Sequence, residues 1–476
     1  MIALSLVSML AAAGFEPLLK EHARLVAPDG AGFEIVAYAS TTNELWATRS
    51  DRPRLARIDL SDPDAPILLE HVSLERFGIE VTSVATSSDL VAATVLASPT
   101  TDTGTLIIMN LDGSVRSWHS TGSHPDMVTF SPNGALVFVA NEGEPADGVD
   151  PPGSITVYQL AGGHPINTWS STLGDPDTAA DDVTWTTPLA ETAPSMVEPE
   201  YIAVSPGGLA AVAAQENNGI ALVDTTSWPP RLTAELDLGV IGPKLLGLVD
   251  TRDDGQLRPQ PATVAALPQP DAIAVVDTAE GPVIFTADEG DPRDDWGRDG
   301  AAKLDGLERA KLQTQSGIPL IFGARGISAW RPDGSLITRA ASPITTWAPS
   351  QHNADYETIL DKRSDRRGEE PEGLVAWRDG ERTLVAAGFE RAGALGLFEY
   401  RDETLHTLDI VRIGETKNAI ASPEGIAVFE HSGRTFLAVA DEAGGSITLL
   451  EVHDDRRKAL KSDRDQSRET LSQQNR

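Results

Sequence analysis

Two sets of carboxylates recur in this sequence at matched spacing. The first is Asp126, Glu200, Asp271, Glu372 and Glu424, each directly behind a proline. The second is Glu142, Glu216, Glu289, Glu390 and Glu442, which follow their partners by 16, 16, 18, 18 and 18 residues. Glu34 and Glu80 extend the first set. Carboxylates from several loops, gathered in one place, suit calcium. That ion takes six to eight oxygen ligands and tolerates irregular geometry. Zinc is a poorer match, since the chain has no cysteine and nine histidines. A second use of such a repeated acid is structural, as a cap on the backbone amides of the neighbouring unit, and the spacing by itself leaves both open.

The segments around these acids supply the positioning elements. Each proline-acid pair opens a short apolar run, as in Met127-Val-Thr-Phe130 or Tyr201-Ile-Ala-Val204. A turn such as Ser131-Pro-Asn-Gly134 follows, then a second apolar run ending at the second acid, then a third run further on. Runs of four to seven residues rich in Val, Ile and Ala, divided by Gly, Pro and Asp turns, read as β-strands. Five clear copies, and two weaker ones opening at Glu34 and Glu80, make seven. The expected fold is all-β, a seven-bladed β-propeller in which each blade buries its faces against its neighbours. The last unit supplies three strands, and Leu18–Val26 is expected to add the fourth, closing the ring and removing an exposed edge.

In such a blade the first strand runs through the central channel and the second returns to the same face. The two acid sets therefore meet at one channel mouth. The expected metal ligands are Asp126, Glu142, Glu200, Glu216, Asp271, Glu289, Glu372, Glu390, Glu424 and Glu442, with calcium as the cofactor. Basic residues near this face are few: Arg293, Arg325, Arg363, Arg391 and His124. Arg325 and Arg391 are the candidates for catalysis, because a guanidinium beside a bound cation can hold a phosphate or carboxylate with two bonds; pairing with a rim acid is the plainer use. Asp250-Thr-Arg-Asp-Asp-Gly255 resembles a calcium loop only loosely, lacking the spacing and distal Glu of an EF-hand. The sequence contains no nucleophile elbow, zincin helix motif, phosphate-binding loop or dinucleotide fingerprint.

The charge balance narrows the partners. Lys plus Arg total 38 against 71 Asp plus Glu, a net charge of −33. A surface this acidic repels nucleic acid, which is bound mainly through Lys and Arg. Residues 1–17 contain a 12-residue apolar run, Ile2–Ala13, suited to a signal segment and too short to span a bilayer. The expected organisation is a signal segment at 1–17, the propeller over 18–452, and a polar, disordered tail over 453–476. Gly163–Val197 and Leu238–Gln269 read as long loops, and Ala301–Gln313 as a short helix. A monomer that is secreted, periplasmic or at the cell surface, without an integral membrane segment, is expected.

The motifs resemble one family. PDMVTFSPNGALVFVANEGEP (Pro125–Pro145), EPEYIAVSPGG (Glu198–Gly208) and PDAIAVV (Pro270–Val276) with ADEGDPR are similar to the choice-of-anchor I family. FGARGISAW (Phe322–Trp330), RSDRRGEEPEGL (Arg363–Leu374) and GFERAG (Gly388–Gly393) extend the likeness in order from about Gly32 to Val452. It implies a bacterial, mostly exported propeller, with members labelled as alkaline phosphatases and a likeness to mesenchyme-specific cell-surface glycoproteins. One departure is plain: the Asp-rich loop that members often carry before the FGAR motif is replaced by QTQSGIPLI. Two functions follow as expectations. One is an exported calcium-binding propeller that presents a face to an extracellular partner. The other is a calcium-dependent phosphoesterase acting on a small phosphate ester at the acidic mouth.

Overall fold

The computed structural model describes residues 18–174, 197–291, 312–315, 318–414 and 421–453. Seven four-stranded antiparallel sheets account for most of it, each with its strands in sequence order except the last. Blade 1 covers Phe33 to Ser73, blade 2 Glu80 to Ser123, blade 3 Pro125 to Thr172 and blade 4 Pro199 to Asp237. Blade 5 runs from Ile273 to Ala341 and blade 6 from Pro371 to Arg412. Blade 7 takes Pro423–His431, Arg434–Asp441 and Ser446–Val452, and receives Leu19–Val26 as its outermost strand. That strand pairs antiparallel from Leu19 against Val452 to Val26 against Ser446. The chain thus closes as a seven-bladed propeller by tying its two ends together.

Burial follows the position of each strand in its blade. The second strands, such as Leu136–Asn141 and Leu209–Ala214, are covered on both faces by the adjoining blades, so their sequences are continuously apolar. The outermost strands meet solvent and carry polar residues. His164–Thr172 is one of these, and it occupies the first part of the segment expected to be a loop. Its polar sequence hid it, since an edge strand has only one face to bury.

The segment from Leu238 to Gln269 is also not a plain loop. It holds the short helix Pro243–Leu246, and Leu248–Val249 pairs with Gln260–Pro261. Ala265–Leu267 lies parallel to Ile318–Phe322, which pairs in turn with Leu312–Gln315. Ile241, Leu246, Val249, Val264 and Ala266 are buried, enough apolar contact to fix it against blades 4 and 5. Of the helix expected over 301–313, residues 301–311 lie outside the described residues, while Leu312 and Gln313 belong to a strand. Two helices that the sequence did not suggest, Pro343–Trp347 and Ala354–Asp361, connect blades 5 and 6. Residues 1–17 and 454–476, expected as signal segment and tail, lie outside the described residues.

Candidate metal centre at the channel mouth

In blades 3, 4, 6 and 7 the first strand enters the channel through an irregularity at the acid. Pairing with the second strand shifts register between Pro125 and Met127, Pro199 and Ile202, Pro371 and Leu374, and Pro423 and Ile426. Blade 1 shifts at the same place, between Phe33 and Val36, across Glu34, whereas blade 2 shifts one step later, between Val81 and Ser83. A bulge breaks the two-residue alternation and redirects one side chain. In blades 1, 3, 4, 6 and 7 the stretch it disrupts holds the acid. Three entry turns also kink through a left-handed residue just before the proline: His124, Gln269 and Glu370, with φ of 47°, 47° and 50°. Blades 6 and 7 crowd the channel further. A Cβ on Gly373 would sit 1.6 Å from the Glu424 carbonyl, and one on Gly425 2.3 Å from that of Glu34. Only glycine allows these backbones to approach so closely.

The acids meet at the seams between blades. Glu142, Glu200 and Glu216 bring one carboxylate oxygen each within 4.8 Å of one another, and so do Asp271, Glu289 and Glu372. A third group, Glu372, Glu390 and Glu424, shares Glu372 with the second. Those two groups follow one rule: the entry acid of a blade, the exit acid of the same blade and the entry acid of the next. Asp126 lines the central cavity, of about 160 Å³, with Asp271, Glu372, Glu424 and Tyr201. Glu442 is exposed and lies beside Glu424 and Glu34. Eight of the ten predicted ligands therefore fall in close groups, and Asp126 and Glu442 lie outside them.

The backbone-capping role falls to residues beside the acids. Asn141 accepts from the Gly122 N–H at 2.9 Å, Asn217 from Glu198 at 2.9 Å, and Asp441 from Ser422 at 2.8 Å. The neighbouring Glu142, Glu216 and Glu442 are thereby not required for that task.

Burial, and then the convergence of like charge, raise proton affinity at several of these acids. Burial, reinforced by the surrounding carboxylates, lifts Asp126 and Asp271 to about 7. Glu289 reaches about 8 for the same first cause, despite the opposing charge of Arg367. Glu424 is pushed to about 10 by burial and then by Glu442. Burial also holds Glu142, Glu200 and Glu372 well above the usual range. Such groups are poised to exchange a proton for a metal ion.

The cations are distributed unevenly. Arg391 pairs with Glu390 at 2.5 Å and approaches Glu370 at 3.6 Å, its side chain 43% exposed at the rim. Arg325 does not join the acids. It is buried, and its guanidinium donates to the carbonyls of Asp250 at 2.7 Å, Ser364 at 2.9 Å and Arg366 at 2.6 Å. Arg363 bonds Glu370, and Arg293 lies outside the described residues. His124 reaches Glu142 at 3.4 Å and Glu144 at 3.3 Å. Sequence reasoning missed Arg367, which pairs with Glu289 at 2.8 Å, Asp291 at 3.1 Å and Glu370 at 3.2 Å. It also missed the buried Glu370. Both stand in the RSDRRGEE stretch already singled out, yet nothing in its spacing tells which arginine faces the channel.

The family model for the choice-of-anchor I domain matches residues 34–316 and 302–403. The chain belongs to the choice-of-anchor I family. Among curated proteins no relative matches. Solved structures resemble it in fold. Virginiamycin B lyase from Staphylococcus aureus is 14% identical with a TM-score of 0.50, covering 91% of this chain and 99% of its own. Hydrazine synthase of Kuenenia stuttgartiensis is 12% identical with a TM-score of 0.50, covering 90% and 98%. At this identity the likeness is one of architecture, and function has to be argued from the site.

Proposed function

We propose that this choice-of-anchor I propeller is an exported calcium-binding protein whose acidic channel mouth holds the metal and whose role is structural or adhesive. The observation that carries the reading is the repeated seam geometry: three carboxylate oxygens within 4.8 Å, in groups that follow one another around the ring. Calcium–oxygen distances of about 2.3–2.6 Å put ligands on opposite sides of the ion nearly that far apart. The elevated proton affinities support the same reading, since a charge cluster this dense calls for a cation. Family and fold fit a surface-associated propeller, and no helix among the described residues is long and apolar enough to cross a membrane.

A calcium-dependent phosphoesterase is the second reading, favoured by one observation. Arg391 stands at the rim, partly exposed and next to Glu390, where it can reach an anion held by a metal. Arg325, with its guanidinium engaged by three backbone carbonyls, has no part in it. Melting the purified protein in chelator and then in calcium tests the binding: a rise in Tm with calcium is expected, because a ligand of the folded state stabilises by mass action. A flat response overturns it. Turnover of p-nitrophenyl phosphate that needs calcium and is lost in Arg391→Ala would decide for the enzyme; no turnover leaves the structural role.

A further inference from the structure

Blades 3 and 5 compensate the same acids in different ways. In blade 5 the entry turn holds Gln269, and the second strand leads into Asp288-Glu289-Gly290-Asp291. Arg367 neutralises that stretch, pairing with Glu289 at 2.8 Å and Asp291 at 3.1 Å. Blade 3 places His124 in the entry turn and Asn141-Glu142-Gly143-Glu144 at the exit. Among the described residues no arginine or lysine pairs with Glu142 or Glu144. Their partner is the His124 imidazole, with Nε2 3.4 Å from Glu142 Oε2 and Nδ1 3.3 Å from Glu144 Oε2.

The backbone fixes this meeting. His124 adopts the left-handed conformation, and its carbonyl accepts the Glu142 N–H at 2.8 Å. The Ser123 carbonyl accepts the Gly143 N–H at 3.2 Å, so the exit loop is clamped beside the ring. One ring nitrogen and one oxygen from each acid consequently lie within 4.8 Å of one another. The imidazole side chain is 12% exposed. Its Nδ1 is buried and makes no hydrogen bond among the described residues, not even to the nearby Glu144. A ring nitrogen shut away from water without a hydrogen bond is costly. An ion on its lone pair removes that cost.

We propose that His124, Glu142 and Glu144 hold a divalent ion of the zinc type, at a site distinct in ligand chemistry from the all-oxygen groups of the seams. Calcium takes oxygen ligands, whereas imidazole nitrogen suits zinc. Ligands on a tetrahedral zinc, at about 2.0–2.2 Å, stand about 3.3–3.6 Å from each other. The 3.3 Å contact of Nδ1 with Glu144 already has that spacing. Glu144 is exposed, which gives the ion a way in from solvent. Three protein ligands leave the fourth position of the ion to water, the pattern of an open zinc site and not of a closed structural one. Glu142 also belongs to a seam group, but His124 belongs to none, and the site does not rest on the calcium reading.

The test is calorimetric titration of zinc into the untagged full chain after stripping with chelator. In His124→Asn the tightest zinc bound should weaken by more than the roughly 10-fold that loss of an outer-shell partner costs. Asparagine tolerates the left-handed backbone, so the melting curve in chelator should match that of the parent. Should this variant melt lower in chelator, Glu144→Gln on the exposed loop carries the test, with zinc affinity expected to fall about 10-fold. Zinc affinity equal to the parent's in both variants overturns the proposal and leaves His124 as an ion-pair partner of the two acids. The calcium response separates the two readings. The rise in Tm with calcium should survive His124→Asn, because the seams use carboxylates. If calcium leaves the parent unaltered while tight zinc binding still needs His124, the channel reading fails and this site stands. If calcium stabilises the parent and zinc binds equally without His124, the reverse holds.

Discussion

Blades 1 and 2 end their second strands differently from blades 3 to 7, although the main chain of blade 1 at that point matches that of blades 3, 6 and 7. The Ser50 N–H donates to the Gly32 carbonyl in blade 1, as Glu142 does to His124, Glu390 to Glu370 and Glu442 to Ser422. Where the later blades present an exit acid, blade 1 has Ser50 behind the buried Arg49, whose guanidinium pairs with Asp29 at 2.5 Å and covers the Phe33 ring at 4.1 Å. Blade 2 ends in Leu96, whose carbonyl accepts the Ile79 N–H at 3.0 Å. Two blades of the ring thus close without the exit acid. The propeller does not need it for packing, so the exit acids of blades 3 to 7 are additions to the fold, and costly ones given their mutual repulsion.

The sharpest way to break this contrast is to attack closure. Deleting Leu19–Val26 removes the outer strand of blade 7 and exposes the edge of Ser446–Val452. Loss of the cooperative melting transition is expected, an effect on the order of the whole stability of a domain, about 5–15 kcal/mol. An unaltered melting curve would show that the ring does not depend on its terminal strand. Neutralising an acid should act in the opposite direction. Glu372 serves two carboxylate groups, and its Oε2 is buried without a hydrogen-bond partner among the described residues. In chelator, Glu372→Gln should leave Tm unchanged or raise it, since the amide replaces an acid that burial and its neighbours already force to hold a proton. In calcium it should lose most of the stabilisation that the ion gives the parent. If Glu372→Gln instead destabilises equally in both, the acid belongs to the fold and the contrast between the blades is wrong.

How legible all this was in the sequence depended on repetition. The blades recur, so the proline-acid entries and the 16–18 residue spacing exposed the propeller and its acidic mouth. The parts without a copy did not show. Arg367 comes from the segment between blades 5 and 6, which has no counterpart elsewhere in the ring, and Glu370 holds the position before the proline, whose residue type changes from blade to blade. Arg325 looked available because a sequence does not display burial. Capping by Asn141, Asn217 and Asp441 was hidden for another reason: an acid and its neighbour at the end of the second strand look equally suited to the task in sequence.

A smaller effect follows from pH. Asp126 and Asp271 sit near 7 and Glu289 near 8 in the folded chain, against about 4 when unfolded. The folded state therefore binds more protons between these values, and its stability falls as pH rises. In chelator, the stability is fully present near pH 4 as far as these groups are concerned, and is lost progressively up to about pH 8. Calcium should flatten that slope, because the ion replaces the protons. Melting curves at pH 5 and pH 8, with and without calcium, check it. A slope of the same size in both conditions would detach the metal from these carboxylates.

The smallest effect tests the other side of the contrast. Asp64, in the outer turn of blade 1, is 64% exposed; it bonds His22 on the closing strand and lies 3.9 Å from Arg434 of blade 7. These contacts sit at the closure seam but at the surface, where an ion pair is worth about 0–1 kcal/mol. Asp64→Asn should therefore lower Tm slightly, by the same amount in chelator and in calcium, and less at high salt, where screening already weakens the pair. A calcium-dependent change would mean that the metal reaches the outer seam as well as the channel. A loss as large as that of the Leu19–Val26 deletion would mean that this pair, and not the backbone ladder of Leu19–Val26, holds the ring shut.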